Sequence, residues 1–276
     1  MARLPDAPPG GGIEIRDLSM TYRRGREVTQ ALSACSLTIP EGGWASLIGA
    51  SGCGKSTLLR ILADIVQPSG GGAWLGGMTP AQARATRSFA LVSQQSVLLP
   101  WRRMLENVEL GLEVARADKA ERRRRAEEAI ELVGLRGFER AYPHELSGGM
   151  RQRAAIARAL TLRPRFLLMD EPFGALDELT RASLNFELLR ILEETSATLL
   201  LVTHSIAEAI ILSDVVAVMS PRPGRIVHKL EIGFGHHRTD AMRDDPAFAA
   251  HEAELRHALH GDPGVTRQPA REPAYA

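Results

Sequence analysis

Apolar and polar residues alternate over residues 13–22 (IEIRDLSMTY) and 31–39 (ALSACSLTI). That period of two predicts strands with one buried face. Further along, the apolar positions close up into short unbroken runs: WASLIG (44–49), SFALVS (88–93), RFLLMDEP (165–172), ATLLLVTH (197–204) and DVVAVMS (214–220). Helical stretches separate several of them. In KSTLLRILADI (55–65), Leu58, Leu59, Leu62 and Ile65 fall on one helical face; ELTRASLNFELLRILEET (178–195) and SIAEAIILS read as helices too. Strands apolar on both faces, alternating with helices, predict an α/β fold with a mainly parallel sheet covered on both sides. From about 95 to 160 the periodicity is helical throughout, which predicts a helical subdomain inserted into the α/β domain. PGRIVHKLEI predicts one more turn and strand to close it.

The ends differ in character. Residues 1–12 are rich in Pro and Gly and predict a loose start, leaving 13–232 as the main domain. Residues 233–276 carry more His, Pro and charge. They predict a partly disordered extension, with a short helix in PAFAAHEAELRHALH and a disordered last dozen residues. No internal repeat is visible.

Composition narrows the class. The 276 residues are 44% hydrophobic and 24% charged, enough for a large core, and the net charge of +1 argues against nucleic-acid binding. The run RRRR (122–125) is flanked by Glu121, Glu127 and Glu128, so a solvated helix face is expected there. Two cysteines, Cys35 and Cys53, are too few for a disulfide framework. The N-terminal residues lack the apolar core of a secretory signal, and no apolar stretch approaches the ~20 residues of a membrane span. The expected protein is soluble, and any work at a membrane requires another chain to hold it there.

The chemistry begins at GASGCGKST. Gly49, Ala50, Ser51, Gly52, Cys53, Gly54, Lys55 and Ser56 match G-x-x-x-x-G-K-[ST] in full, followed by Thr57, and they lie between a predicted strand and a predicted helix. Backbone N–H groups of such a loop wrap a β-phosphate, Lys55 reaches the β- and γ-phosphates, and the Ser56 hydroxyl ligates Mg²⁺. The strand FLLMDEP then delivers Asp170 and Glu171 to its carboxyl end, where ligands sit in open α/β sheets. Asp170 is expected to hold Mg²⁺ through water, and Glu171 to polarise the attacking water as general base. His204 ends the next apolar run and reaches the same sheet edge. A second anion cradle, LSGGM (146–150), opens a short amphipathic helix but has no lysine. Its plain reading is a Ser N-cap followed by a Gly turn. Its functional reading is a cradle whose ligand sits on another copy of the chain.

The ordered set of Gly49–Thr57, Gln94, Leu146–Gln152, Leu167–Pro172, GALD (174–177) and His204 resembles the ATP-binding subunit of an ABC transporter over roughly residues 13–230. The resemblance implies a P-loop NTPase core with an N-terminal antiparallel β-subdomain and an inserted α-helical subdomain. It implies ATP and Mg²⁺ as cofactors and ATP hydrolysis as the activity. Tyr22 resembles the aromatic that stacks on adenine, and Gln94 the glutamine that touches Mg²⁺ and water. Ser147, Gly148 and Gly149 resemble the signature that caps the partner's γ-phosphate. Asp177 resembles the residue that crosses the dimer interface, and His204 the switch histidine on the γ-phosphate. QQSVLLPWRRMLENVELGL and SPRPGRI (220–226) are similar to ATPases of nitrate, sulfonate and taurine importers. Gln95 stands where those usually carry an acid, and Ala50 where many carry proline; neither change removes a ligand.

That branch implies a homodimer under two transmembrane permease subunits, served by a periplasmic or lipid-anchored solute-binding protein. It implies a peripheral place on the cytoplasmic face of a bacterial inner membrane and no nucleic-acid partner. The apolar LLPW is expected either to receive a permease helix or to pack the core. The rivals are a soluble ABC ATPase acting on nucleic acid or ribosomes, and a scaffold that binds ATP without turnover. Cys53, inside the glycine loop, reads as an incidental small residue or a redox brake.

Overall fold

The computed structural model describes residues 10–174, 176–235 and 238–260; the expectations for the outermost N-terminal and C-terminal residues lie outside them. Two sheets organise the chain. Strands β1 (Ile13–Arg24), β2 (Glu27–Ile39) and β4 (Gly70–Leu75) form a three-stranded antiparallel sheet in the order β2-β1-β4. A six-stranded sheet has the order β5-β6-β7-β3-β8-β9, with β3 (Trp44–Gly49), β5 (Phe89–Val92), β6 (Phe166–Asp170), β7 (Thr198–Val202) and β8 (Val215–Met219) parallel. Only its edge strand β9 (Ile226–Glu231) runs antiparallel, against β8.

The parallel strands are apolar on both faces because both faces are covered. Leu199 and Leu201 of β7 join one core with the inserted helices, and Leu200 and Val202 join another under the antiparallel sheet. The insertion consists of α3 (Met104–Val114), α4 (Lys119–Leu132) and α5 (Gly148–Leu160), which pack on one another. The arginines 123–125 on α4 pair with Glu121, Glu127 and Glu128 of the same helix, and the Arg123–Glu127 and Arg125–Glu121 contacts are both 2.6 Å.

Helix starts follow local capping chemistry. Asp177 accepts from the Thr180 N–H at 3.0 Å to open α6 (Glu178–Thr195), and Ser205 accepts from the Glu208 N–H at 3.3 Å to open α7 (Ile206–Leu212). Helix α1 (Lys55–Leu62) is shorter than its pattern predicts. Asp64 adopts φ 55°, which ends the helix, so Ile65 leaves the apolar face and is 58% exposed. Two elements have no forecast in the pattern: β4, hidden in a glycine run, and the short helix α2 (Pro80–Ala85), opened by a Thr79/Gln82 capping box.

The C-terminal extension is built into the domain through residue 260. Helix α8 (Pro246–His260) packs on α7, β8 and β9, burying Phe248 and Leu255. Arg238 anchors the approach to it. Its guanidinium donates to the carbonyls of Ile211 and Ser213 at 2.8 Å each, pairs with Asp214 at 2.9 Å, and lies 5.9 Å from the Trp44 ring. These carbonyls end α7, where the helix itself supplies no donors. Among the described residues, no helix is long and apolar enough to cross a membrane.

Candidate nucleotide site

The carboxyl ends of β3, β6 and β7 lie side by side, so the loops after them converge. Gly52 and Gly54 take φ +73° and +118°, a backbone region that side chains resist. A Cβ on Gly54 would sit 2.6 Å from Leu32 and 2.9 Å from the Ala31 carbonyl oxygen, so the loop presses directly on β2. Lys55 is buried and its Nζ lies over the loop, donating to the carbonyls of Gly49 at 2.8 Å and Ala50 at 3.2 Å.

A cavity of about 630 Å³ opens over this loop. Its walls bring together Ser51, Gly52, Gly54, Lys55, Ser56 and Thr57 with Gln94, Asp170 and Glu171, and Tyr22 stands in the same wall. Ser56 Oγ donates to Asp170 Oδ1 at 3.0 Å. Burial pushes the Asp170 carboxyl above the usual carboxylate range, and the Ser56 hydrogen bond opposes this. Glu171 is held by its own N–H, which donates to the Val202 carbonyl at 2.8 Å, and it adopts φ 46°. That conformation costs a non-glycine residue about 1 kcal/mol and marks a side chain placed by its surroundings. Glu171 Oε2 lies 3.3 Å from His204 Nδ1. A Cβ built on Gly174 would touch both the Gln94 amide and Glu171 Oε2 within 3.4 Å, so these two side chains converge beside it.

The second cradle does not share this cavity. Gly148 borders a separate cleft of about 250 Å³ with Gln94, Gln95 and Leu176. Ser147 and Gly149 border another, of about 450 Å³, with Thr180 and Leu184 of α6. The Ser147 hydroxyl accepts from the Met150 N–H at 3.2 Å, so it does cap α5. Asp177 caps α6 beside it. Within one chain, then, the LSGGM segment and the GALD loop are neighbours of each other, while the phosphate loop lies elsewhere.

Several positions that line the cavity or brace its loops were given no role of their own by the sequence. Gln152 and Arg158 on α5 tie down the loop after β5: Gln152 Nε2 donates to the Ser93 carbonyl at 3.3 Å, and Arg158 to those of Val97 and Ser96 at 2.9 and 3.1 Å. Gln94 is thereby coupled to the helix that LSGGM begins. Arg24, Glu27 and Thr29 line the cavity beside Tyr22. The alternation in the β1–β2 hairpin could have signalled them, since Thr29 is the register partner of Tyr22. Of LLPW, Leu98 packs on the core while Trp101 is 71% exposed, so the two expectations divide between its ends. Cys53 is buried beneath the loop. Cys35 is buried too, and burial pushes its thiol up to about 11, so neither cysteine is placed to react with a solvent oxidant.

Known proteins resemble this chain in sequence and in fold. The family model for ABC transporters matches residues 32–174. The chain is 46% identical over 253 residues to the taurine import ATP-binding protein TauB of Rhizobium johnstonii, spanning 90% of this chain and 95% of that protein. It is 45% identical over 232 residues to the nitrate import ATP-binding protein NrtC of Synechococcus elongatus, spanning 83% of this chain and 34% of that longer protein. Its fold matches the dimeric post-hydrolysis state of the ATP-binding cassette MJ0796 bound to ADP and Pi, with a TM-score of 0.71, 32% identity, and coverage of 80% of this chain and 98% of that one.

Proposed function

This chain belongs to the ABC transporter family as an ATP-hydrolysing cassette, and from that premise we propose that it powers import of a small anionic solute of the taurine, sulfonate or nitrate class. It works as a homodimer on the cytoplasmic face of a bacterial inner membrane, beneath two permease subunits that a solute-binding protein feeds. The import reading is supported by the taurine and nitrate relatives, which do not favour the nucleic-acid alternative. The exposed Trp101 and Val97, on a loop held by Arg158, offer an apolar contact for a permease helix.

The observation that carries the catalytic reading is that Gln94 and Glu171 share the cavity over the phosphate loop, with His204 Nδ1 3.3 Å from Glu171 Oε2. Glu171 accepts the proton of the attacking water, and His204, bonded to that carboxylate, orients it and faces the γ-phosphate. Lys55 and the loop amides hold the phosphates, and Tyr22 stacks on the base. Ser56 and Asp170 suit Mg²⁺: both offer hard oxygens 3.0 Å apart, and a carboxylate whose charge burial disfavours is relieved by a cation. Gln94 would help to hold the ion. Mg²⁺ bound there would neutralise charge that develops on the phosphates. Ser147, Gly148 and Gly149 cap the γ-phosphate held by the other copy, with Asp177 at the interface between the copies.

The test is Glu171→Gln. It is expected to keep ATP affinity within about threefold while lowering turnover at least about 100-fold, the scale of a lost general base. It should also accumulate an ATP-bound dimer on size exclusion. Near-normal phosphate release by the variant would remove Glu171 from the role of base.

A further inference from the structure

The segment Ser220–Ile226 follows β8 and has no part in the chemistry above, yet its backbone lies on the phosphate loop. A Cβ on Gly224 would fall 2.2 Å from the Cys53 carbonyl oxygen, so only glycine permits the approach. The same residue fastens the segment to β2. Gly224 N–H donates to the Ala31 carbonyl at 3.0 Å, and the Gly224 carbonyl accepts from Ser33 N–H at 2.9 Å and Cys35 Sγ at 3.2 Å. Ser220 Oγ stiffens the turn, accepting from Arg225 N–H at 3.1 Å. The segment is therefore a strap between the base-side strand and the phosphate loop.

Arg222 is where the strap grips. Its Nε and Nη2 both donate to the Gly52 carbonyl, at 3.2 and 3.0 Å. A loop that turns its N–H groups inward toward phosphate turns carbonyls outward. Gly52, at φ +73°, has no side chain to brace that turn of the loop, and Arg222 holds it by its carbonyl. A forked guanidinium fixes the plane of that peptide in a way a single donor does not. Arg222 also lines the nucleotide cavity, so its positive charge stands at the wall of an anion site.

We infer that Arg222 is a positioning residue for nucleotide binding: it clamps the phosphate loop by the Gly52 carbonyl and, with Gly224, holds the loop in its phosphate-accepting shape. This rests on the nucleotide reading of the loop. The loop's β-phosphate grip serves ATP and ADP alike, so the clamp affects both.

The test is equilibrium titration of the full-length protein with fluorescent ATP and ADP analogues, alongside steady-state ATPase kinetics. Arg222→Ala is expected to weaken both nucleotides about tenfold, the scale of one charge-assisted hydrogen bond, raising KM with kcat within twofold. Arg222→Lys, which keeps the charge but loses the fork, is expected to recover only part of the loss. Gly224→Ala, which pushes the strap off Cys53, should reproduce it, and the double variant should add little. Unchanged affinity in Arg222→Ala would overturn the inference. So would a loss confined to ATP, a fall in kcat at unchanged KM, or full recovery by lysine. Lys55→Ala separates the two levels: if it leaves affinity intact, the nucleotide reading of the loop fails; if it weakens binding and Arg222→Ala does not, only the clamp fails.

Discussion

Glu208 carries a carboxylate into the protein interior, 3% exposed, one turn into α7. Its Oε2 accepts from Thr203 Oγ1, which in turn accepts from Ser205 N–H at 3.0 Å, so it shapes the loop that carries His204. Its Oε1 is buried without a hydrogen-bond partner among the described residues. Burial raises the Glu208 pKa above the ordinary glutamate value of 4.5, against the pull of the Thr203 bond and the charge of Arg181. A carboxyl raised in the folded state keeps a proton that the unfolded chain releases. Stability therefore falls as pH climbs from the unfolded value through the folded one. Glu208→Gln is expected to raise Tm by about 2–4 °C at pH 7, with the gain vanishing below about pH 4. A pH series of thermal melts checks both signs. In the sequence Glu208 looks like any polar position on an amphipathic helix. Only the packing of α7 between α6 and α8 reveals that it is enclosed.

Among the elements, those with a sharp apolar run and a capping side chain were legible. The spans of β7 and β8 follow their apolar runs, and those of α6 and α7 follow the residue pattern closely, with Asp177 and Ser205 capping the helix starts. Strand β4 was not legible, since Gly70, Gly71 and Gly72 suggest a loop; Gly72 is there because the Trp74 indole lies where its Cβ would go, within 2.4 Å. In the C-terminal extension the helix over residues 246–260 was legible, while the polar composition before it hides Arg238. That guanidinium, with its side chain fully buried, closes the end of α7 opposite to His204. Arg238→Ala should cost about 3 kcal/mol in urea unfolding, because it strands helix carbonyls and removes the buried ion pair with Asp214. Removing the exposed His228–Glu254 pair, which also ties α8 to β9 at 2.9 Å, should cost under about 1 kcal/mol. Equal costs would mean that α8, not the Arg238 anchor, secures the extension.

At the scale of the whole molecule, the site within one chain brings Glu171 to the glycine loop but has LSGGM facing other clefts. The order of motifs along the chain made both cradles visible. Their separation followed from the place of LSGGM in the helical insertion; the clefts that LSGGM borders did not, since they depend on how that insertion sits on the sheet. A pairing of copies makes a definite demand on Ser147. Ser147→Arg should leave nucleotide binding by the single chain within about twofold and abolish ATP-dependent dimerisation in the Glu171→Gln background, as read by light scattering. The larger side chain meets no wall inside its own subunit, where Ser147 is exposed, so a normal dimer would place the LSGGM cradle away from the interface.

The central sheet is also a partition. Successive residues of β6, β7, β3 and β8 feed opposite cores, as Leu167 and Met169 on one side and Leu168 on the other illustrate. Defects introduced on the two sides thus have no shared side-chain neighbours through which to compensate, and their penalties are expected to sum. The compartment shared with the inserted helices can therefore be repacked without retuning the one beneath the glycine loop, and the two halves of the molecule can be altered one at a time.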